Sequence, residues 1–379
     1  MKCIVVGAGA WGLPAAAEMS RRGHDVTLVD RHGPFNALSS SVGPTRLWRL
    51  ADPNPARVRL ARRGLEAMRR LAERANTEVF LTRGLVWRDD VSLPALLETL
   101  AAQDVEHTEV SAQDVERFFP GLRPDGRDAV WQPVAGVVLA ETSLRAQLRL
   151  FTGTTLFGHD VVDVDARTSG VRISFADGRF VDADVAVLAP GPGAATLLGR
   201  VGVDVDLQPY LEQVVHFGDP ADPHSSDALP GLFDGPTGHR PGVYGMPTPG
   251  RGYKIGLDAP LRNYEQSDAN RNPDPARTTA IRDFVRAGLA SVPSTVVDEQ
   301  VCVWTDSPDG SFVVDRLPEG VVFACGDSGE GFKYSALMGE VLADLAEGDT
   351  PDDDVAALSL ERFASGVPAR SGPHVMGRH

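Results

Sequence analysis

Near the N-terminus, Gly7-Ala8-Gly9-Ala10-Trp11-Gly12 has the spacing G-x-G-x-x-G, and a carboxylate, Asp30, follows eighteen residues after Gly12. These residue types at this spacing suit a dinucleotide. Gly7 permits a tight turn, Gly9 lets the backbone approach a pyrophosphate, and Gly12 lets a helix pack closely. The helix N-terminus then faces the phosphates, and Asp30 accepts hydrogen bonds from ribose hydroxyls. The motif alone leaves FAD and NAD both open. Its specificity comes from the elements around it: Cys3-Ile4-Val5-Val6 reads as a buried strand, Pro14 to Arg22 as an alanine-rich helix, and Asp25 to Asp30 as a second strand ending in the acid. A strand running straight into the glycine motif also predicts that no cleavable leader precedes it.

Other residues able to do chemistry have ordinary alternatives. Cys302 lies in an apolar strand, where a lone cysteine is more often inert core. Lys254, in the alternating Tyr253-Lys254-Ile255-Gly256, would more often point to solvent. Arg49, after the apolar Leu47-Trp48, and Lys333, in a Gly-Phe-Lys-Tyr turn, each have a surface reading as rival.

The 379-residue chain is long enough for two domains, and 42% hydrophobic with 23% charged residues is ordinary globular composition. A net charge of −15 and a pI near 5.0 argue against nucleic acid or an anionic membrane as the main partner. Arg57 to Arg74 contains seven arginines, but Val58, Ala61, Leu65, Met68 and Leu71 recur between them, which predicts an amphipathic helix with a solvated basic face rather than a phosphate site. Cys3, Cys302 and Cys325 cannot build a disulfide framework, and no apolar run is long enough to span a membrane, so a reducing, cytoplasmic setting is expected.

Helices are predicted over Leu93 to Ala102, Ser111 to Phe119 (with Ser111 and Asp114 at capping-box spacing), Thr278 to Ala290 and Ala336 to Ala346. Strands are predicted over Ala129 to Ala140, Val161 to Val164, Val171 to Phe175, Val181 to Leu188, Val243 to Met246, Tyr253 to Leu257, Val297 to Trp304 and Val321 to Gly326, with a hairpin turn at Ala176-Asp177-Gly178. Asp219 to Gly242 reads as surface loop, Asn263 to Ala276 as polar and outside the core, and Pro368 to His379 as a mobile tail.

Three separated motifs point to one family. They are Gly43-Pro44-Thr45-Arg46-Leu47-Trp48-Arg49, then Cys302-Val303-Trp304-Thr305 ahead of Asp306-Ser307-Pro308-Asp309, and Gly326-Asp327-Ser328-Gly329-Glu330-Gly331-Phe332-Lys333. With the N-terminal motif they resemble monomeric sarcosine oxidase and N-methyltryptophan oxidase, within the D-amino-acid-oxidase-like FAD superfamily, over about residues 1 to 365. The resemblance implies FAD and a mixed α/β (α+β) fold. A Rossmann-like FAD-binding domain would comprise 1–82, 138–208 and 303–367; a substrate domain on a mixed or antiparallel sheet would comprise 83–137 and 209–302, with 368–379 as tail. It further implies a monomeric FAD-dependent oxidase of an amino acid or secondary amine, of N-methyl or cyclic imino acid type. Hydride would pass from the carbon next to nitrogen to flavin N5, and O2 would reoxidise the flavin to give H2O2 and an imine. A dehydrogenase using another electron acceptor and a catalytically inactive flavin-binding module are the alternatives.

The same resemblance implies residue roles. Cys302 would carry the flavin covalently, Arg49 would pair with a substrate carboxylate with Lys333 as its partner, Lys254 would promote reaction with O2, Tyr244 would line the substrate pocket and Arg46 would lie against the flavin. Further FAD contacts are expected at Ala10, Trp11, Arg31, Thr45, Val161 and Gly191, and at Gly326, Gly329, Gly331 and Phe332. This sequence departs from the family pattern where Val42 and Glu330 replace histidines next to the flavin, Asp258 replaces a pocket histidine and Pro44 an acidic residue. The redox chemistry belongs to the cofactor, so these changes bear on the substrate, which is expected to differ from sarcosine. Asp258 and Glu330 would meet a basic group on it, or else cap a turn or pair with Arg251 or Lys333.

Overall fold

A computed structural model of the chain describes residues 1–264, 270–364, 372–373 and 375–376. Part of the polar stretch (265–269) and most of the expected tail lie outside the described residues.

The apolar strand Lys2–Val6 lies at the centre of a six-stranded sheet, parallel to Asp25–Asp30 on one side and to Val185–Leu188 on the other. Thr154–Phe157 extends one edge; Val321–Cys325 and the antiparallel Val313–Leu317 extend the other. Central strands of a parallel sheet are covered on both faces, which is why Cys3 to Val6 are all buried and read as an unbroken apolar run. The helices Gly12–Arg21 and Ser335–Glu347 pack on one face of this sheet.

A second sheet, of nine strands, is mixed. Gln208–Phe217 pairs antiparallel with Tyr253–Asp258 and with Val296–Asp306, and Gly242–Pro247 pairs antiparallel with Tyr253–Asp258. Strand alternation divides its residues: Val215, Phe217, Tyr253 and Ile255 pack with Ile281 and Val285 of the helix Pro275–Gly288, leaving Glu212, Val214, Lys254 and Gly256 for the other face.

Several expectations are corrected. The span Ala129 to Ala140 is two strands, Ala129–Gln132 and Gly136–Leu139, in different sheets. Pro133 lies between them, and the Gln132 side chain turns away to accept the Leu50 and Ala51 N–H groups, each at 3.0 Å. Val181 to Leu188 likewise divides, Phe180–Ala183 joining a separate three-stranded sheet and Val185–Leu188 the parallel one. The supposed loop Asp219 to Gly242 contains a fully buried strand, Gly231–Asp234, parallel to Leu85–Arg88. The helix after Ser111 shrinks to Val115–Phe118, because the Ser111 hydroxyl bonds the Asp114 carboxylate at 2.8 Å instead of capping a helix N–H.

The arginine-rich segment is the helix Pro55–Ala75, begun by Asn54, whose side chain accepts the Ala56 N–H at 3.0 Å. Its apolar stripe is buried as expected, but its arginines are not simply solvated. Arg59 and Arg63 pair with Asp354 and Asp352, Arg70 with Glu340 and Arg74 with Glu18. The first three, being more exposed, contribute only ~0–1 kcal/mol each, whereas Glu18 is buried. Arg57 is different, being buried and turned toward the functional site. Among the described residues no helix is long and apolar enough to cross a membrane.

Candidate active site

A cavity of about 580 Å³ runs from the glycine motif to the inner face of the mixed sheet. At the first end Gly7 has φ +104°, and a Cβ there would lie 2.2 Å from the Ala189 carbonyl oxygen; a Cβ on Gly12 would lie 1.9 Å from the Gly7 oxygen. The turn closes only with glycine at both positions. Asp30 is fixed at the cavity wall by three backbone donors, Ala8 and His32 at 2.8 Å and Gly33 at 2.7 Å. Arg31 pairs with Asp160 at 2.6 Å, and the Ser40 hydroxyl in the wall is buried without a hydrogen-bond partner. A glycine cradle, a fixed carboxylate and an orphaned hydroxyl fit the phosphates and ribose of FAD.

At the other end the wall is the sheet face itself. Register places Gln300, Val214, Gly256 and Tyr244 in one row across four strands, and Asp298, His216, Lys254 and Met246 in another. Cys302 stands directly opposite Glu212. Neighbouring strands are ~4.8 Å apart, so thiol and carboxyl are adjacent side chains on this face. The Tyr244 ring lies across Gly256, where a Cβ would come within 2.4 Å of its hydroxyl. Lys254 does not point to solvent: it is 3% exposed, lines the cavity and donates to the Thr45 carbonyl. Burial, reinforced by Arg46, pushes its pKa well below the usual lysine value. Arg46 itself donates to the carbonyls of Val42 at 2.6 Å, Thr45 at 2.9 Å and Ser40 at 3.0 Å, with its guanidinium over the Phe332 ring.

A buried charge cluster closes this end. Arg49 donates to Asp52 at 3.0 Å, to the Ala51 carbonyl and to one oxygen of Glu330, whose other oxygen takes Arg57. Lys333 stands 3.6 Å from Glu330 and 4.0 Å from Asp52. Burial, with Arg49 nearby, lowers the Lys333 pKa to about 8. Burial also works against the Arg49 charge, but Glu330 and Asp52 hold its pKa above the ordinary value. The expected Glu330–Lys333 pair is thus present, with closer bonds to two arginines added. Asp258, for which substrate contact, a turn cap and a pairing with Arg251 or Lys333 were open, accepts the Met376 N–H at 2.8 Å.

Of the residues named from sequence, Gly12 and Thr45 do not reach the cavity wall: Gly12 acts through packing, and the Thr45 hydroxyl bonds Thr248 at 2.9 Å. The others line the cavity, the glycines 326, 329 and 331, Val161 and Gly191 included. Cys325, read as core, is 3% exposed and also touches the wall.

Sequence reasoning missed Glu212, Asp52 and Arg57. Only Glu212 carried a signal, as a lone acid in Leu211-Glu212-Gln213-Val214-Val215. It is 4% exposed and paired with Arg277 at 2.9 Å, yet burial outweighs the arginine and raises its pKa from 4.5 to about 8. Between those values the folded protein holds a proton that the unfolded chain releases, so stability falls as pH rises. Thermal unfolding should therefore shift to lower temperature between about pH 5 and 8. Glu212→Gln should flatten that slope; an unchanged slope would mean that Glu212 titrates normally.

Residues 2–345 match the model of the FAD dependent oxidoreductase family. The chain is 29% identical to monomeric sarcosine oxidase of Bacillus sp. (strain B-0618), over 95% of this chain and 96% of the relative. It is 25% identical to N-methyl-L-tryptophan oxidase of Salmonella heidelberg (strain SL476), over 95% and 98%. The structure superposes on the open form of NikD, described as an unusual amino acid oxidase essential for nikkomycin biosynthesis, with a TM-score of 0.83 at 23% identity, covering 100% of this chain and 99% of that one.

Proposed function

The chain belongs to the FAD-dependent oxidoreductase family, and we propose that it is an oxidase of amines of the amino-acid, N-methyl or cyclic imino type. The observation that carries this reading is one cavity that holds a dinucleotide cradle at one end and Cys302, Tyr244 and Lys254 on a single sheet face at the other. The named functions of the relatives support it. Segments 1–82, 138–208 and 303–367 would hold FAD, with 83–137 and 209–302 as the substrate part. Three free cysteines agree with a cytoplasmic setting, and the relative named monomeric sarcosine oxidase supports a monomer.

When bound, FAD accepts a hydride from the carbon next to nitrogen, leaving a C=N bond, and returns two electrons to O2 as H2O2. The protein's part is placement. Tyr244 fixes the width of the pocket over Gly256. Glu212 stands opposite Cys302, with its pKa raised by burial and both its oxygens accepting from Arg277. Lys254 supplies a desolvated cation, or a proton, at the sheet face. Cys302, on the same cavity face, would be the residue that carries FAD covalently.

Anaerobic mixing with a panel of secondary and cyclic amines tests this. Bleaching of the visible flavin band, restored by air with H2O2 formed, is the expected result. Bleaching with slow recovery in air would favour a dehydrogenase, and no bleaching by any amine would reject both.

A further inference from the structure

His216 is completely buried, and neither of its ring nitrogens has a hydrogen-bond partner among the described residues. Two unsatisfied polar atoms inside a sheet cost stability, so packing alone would favour leucine or phenylalanine at this position. Its place in the sheet supplies another reason for it. His216 stands on the middle of three strands, in register with Asp298 on one side and Lys254 on the other, and residues in register share a face. The Asp298 side chain is half exposed; its Oδ2 lies 4.0 Å from His216 Nδ1, while its Oδ1 accepts the Glu299 N–H at 2.9 Å. That gap is longer than a hydrogen bond, and a small turn of the exposed carboxylate would close it. Lys254 is buried and lines the cavity. With strands ~4.8 Å apart, the row steps from solvent to the cavity through three groups that can each take and give a proton. Met246, next in the row, ends it with a side chain that carries none.

The chemistry needs such a route. A hydride carries two electrons and one proton, whereas H2O2 holds two protons, so each turnover draws one more proton to the cavity. Lys254 can give it, but must then be recharged, and burial disfavours its charged form. We infer that Asp298, His216 and Lys254 form a proton route across the sheet, by which the lysine is recharged from solvent without passage through the cavity. In each passage Asp298 takes a proton from water and gives it to one ring nitrogen, and the N–H at the other ring nitrogen gives its proton to the Lys254 amine; only O–H and N–H bonds form and break. Burial, with the positive Lys254, Arg251 and Arg46 around it, keeps the ring neutral between passages. No hydrogen bond to a described residue pins the ring, so it can turn over and reset. The inference rests on the oxidase reading and adds the source of its proton.

Anaerobic photoreduction of the holoenzyme, then mixing with O2 in weak buffer containing a pH indicator, follows flavin colour and proton uptake together and needs no amine. In the wild type the two should run in step. In His216→Leu the lysine starts charged, so colour should return at the wild-type rate while proton uptake lags by about 10²-fold, the scale of one proton-transfer group. Asp298→Asn, at an exposed position, should show a smaller lag in the same direction. Thermal unfolding gives a readout without turnover: His216→Leu should unfold at the wild-type temperature or above it, because two unsatisfied nitrogens are removed. Uptake that keeps pace with colour in both variants would overturn the inference, the proton then reaching Lys254 from the cavity. Colour and uptake slowed equally, with a lowered unfolding temperature, would overturn it too and make His216 a packing residue. If His216→Leu does not fold, Asp298→Asn decides. A wild type that reoxidises only slowly would reject the oxidase reading itself, whereas fast reoxidation without a lag in either variant rejects only this inference.

Discussion

Denaturing precipitation of the purified holoenzyme is expected to leave the flavin in the protein pellet, and Cys302→Ala is expected to release it into the supernatant. Of the three cysteines, Cys3 is 1% exposed in the parallel sheet, with its pKa raised by burial to about 11. Cys325 touches the cavity but is 3% exposed, with its pKa raised by burial to about 12. A thiol must ionise to act as a nucleophile, and neither of these can readily do so. Cys302 is the more exposed of the three and lies on the cavity face. Burial raises its pKa too, with Glu212 and Asp327 adding to the rise and Arg46 and Lys254 opposing it. Cys325→Ala is the control and should keep the pellet coloured. Free FAD from the wild type would remove the covalent link while leaving FAD binding intact; a coloured pellet from Cys302→Ala would move the link to another residue.

The glycine motif and the parallel strands were legible because each depends on local chemistry, whereas Cys302, Lys254, Arg49 and Lys333 were named through the family resemblance against their local readings. A turn that only glycine can close and a strand buried on both faces announce themselves in a few consecutive residues. Reading went wrong where a partner distant in sequence decides. Gly231–Asp234 is a strand because Leu85–Arg88 offers it a parallel edge, and nothing in the flanking prolines and glycines reveals that edge. Arg57 resembles its neighbours Arg59 and Arg63 in sequence, yet it is buried and bonds the carboxylate of Glu330, 273 residues away. The same long-range contact changes the reading of Arg49. The resemblance implied a carboxylate-binding arginine; the structure shows two protein carboxylates on it. Glu212 was hidden for a related reason, since one acid in an apolar strand gains meaning only when Cys302 is seen opposite it.

Lys254→Met should slow reoxidation of the reduced flavin by O2 by about 10²–10³-fold, the usual effect of removing one preorganised electrostatic stabiliser. Anaerobic reduction by the amine should change by less than about tenfold, because hydride transfer builds no anion on oxygen. The prediction follows from position. Lys254 is desolvated and lines the cavity, while His216, directly opposite it, is kept neutral by burial, with its pKa lowered to about 3. Arg46 is the neighbouring charge, and its donors are committed to three backbone carbonyls. Lys254 gives one donor to the Thr45 carbonyl and has others left for an oxygen anion at the cavity face. Because burial lowers its pKa, the charge is lost at a lower pH than for a surface lysine, so wild-type reoxidation should fall as pH rises through that value while the Met variant stays flat. Stability should move the other way. A buried ammonium binds its proton less tightly folded than unfolded, so the charge opposes folding at neutral pH and Met, of similar length, should be neutral or stabilising. A more stable protein that reacts slowly with O2 would mean the lysine is kept for its chemistry. Equal slowing of both half-reactions would make it a packing residue, and unchanged reoxidation would transfer the role to Arg46.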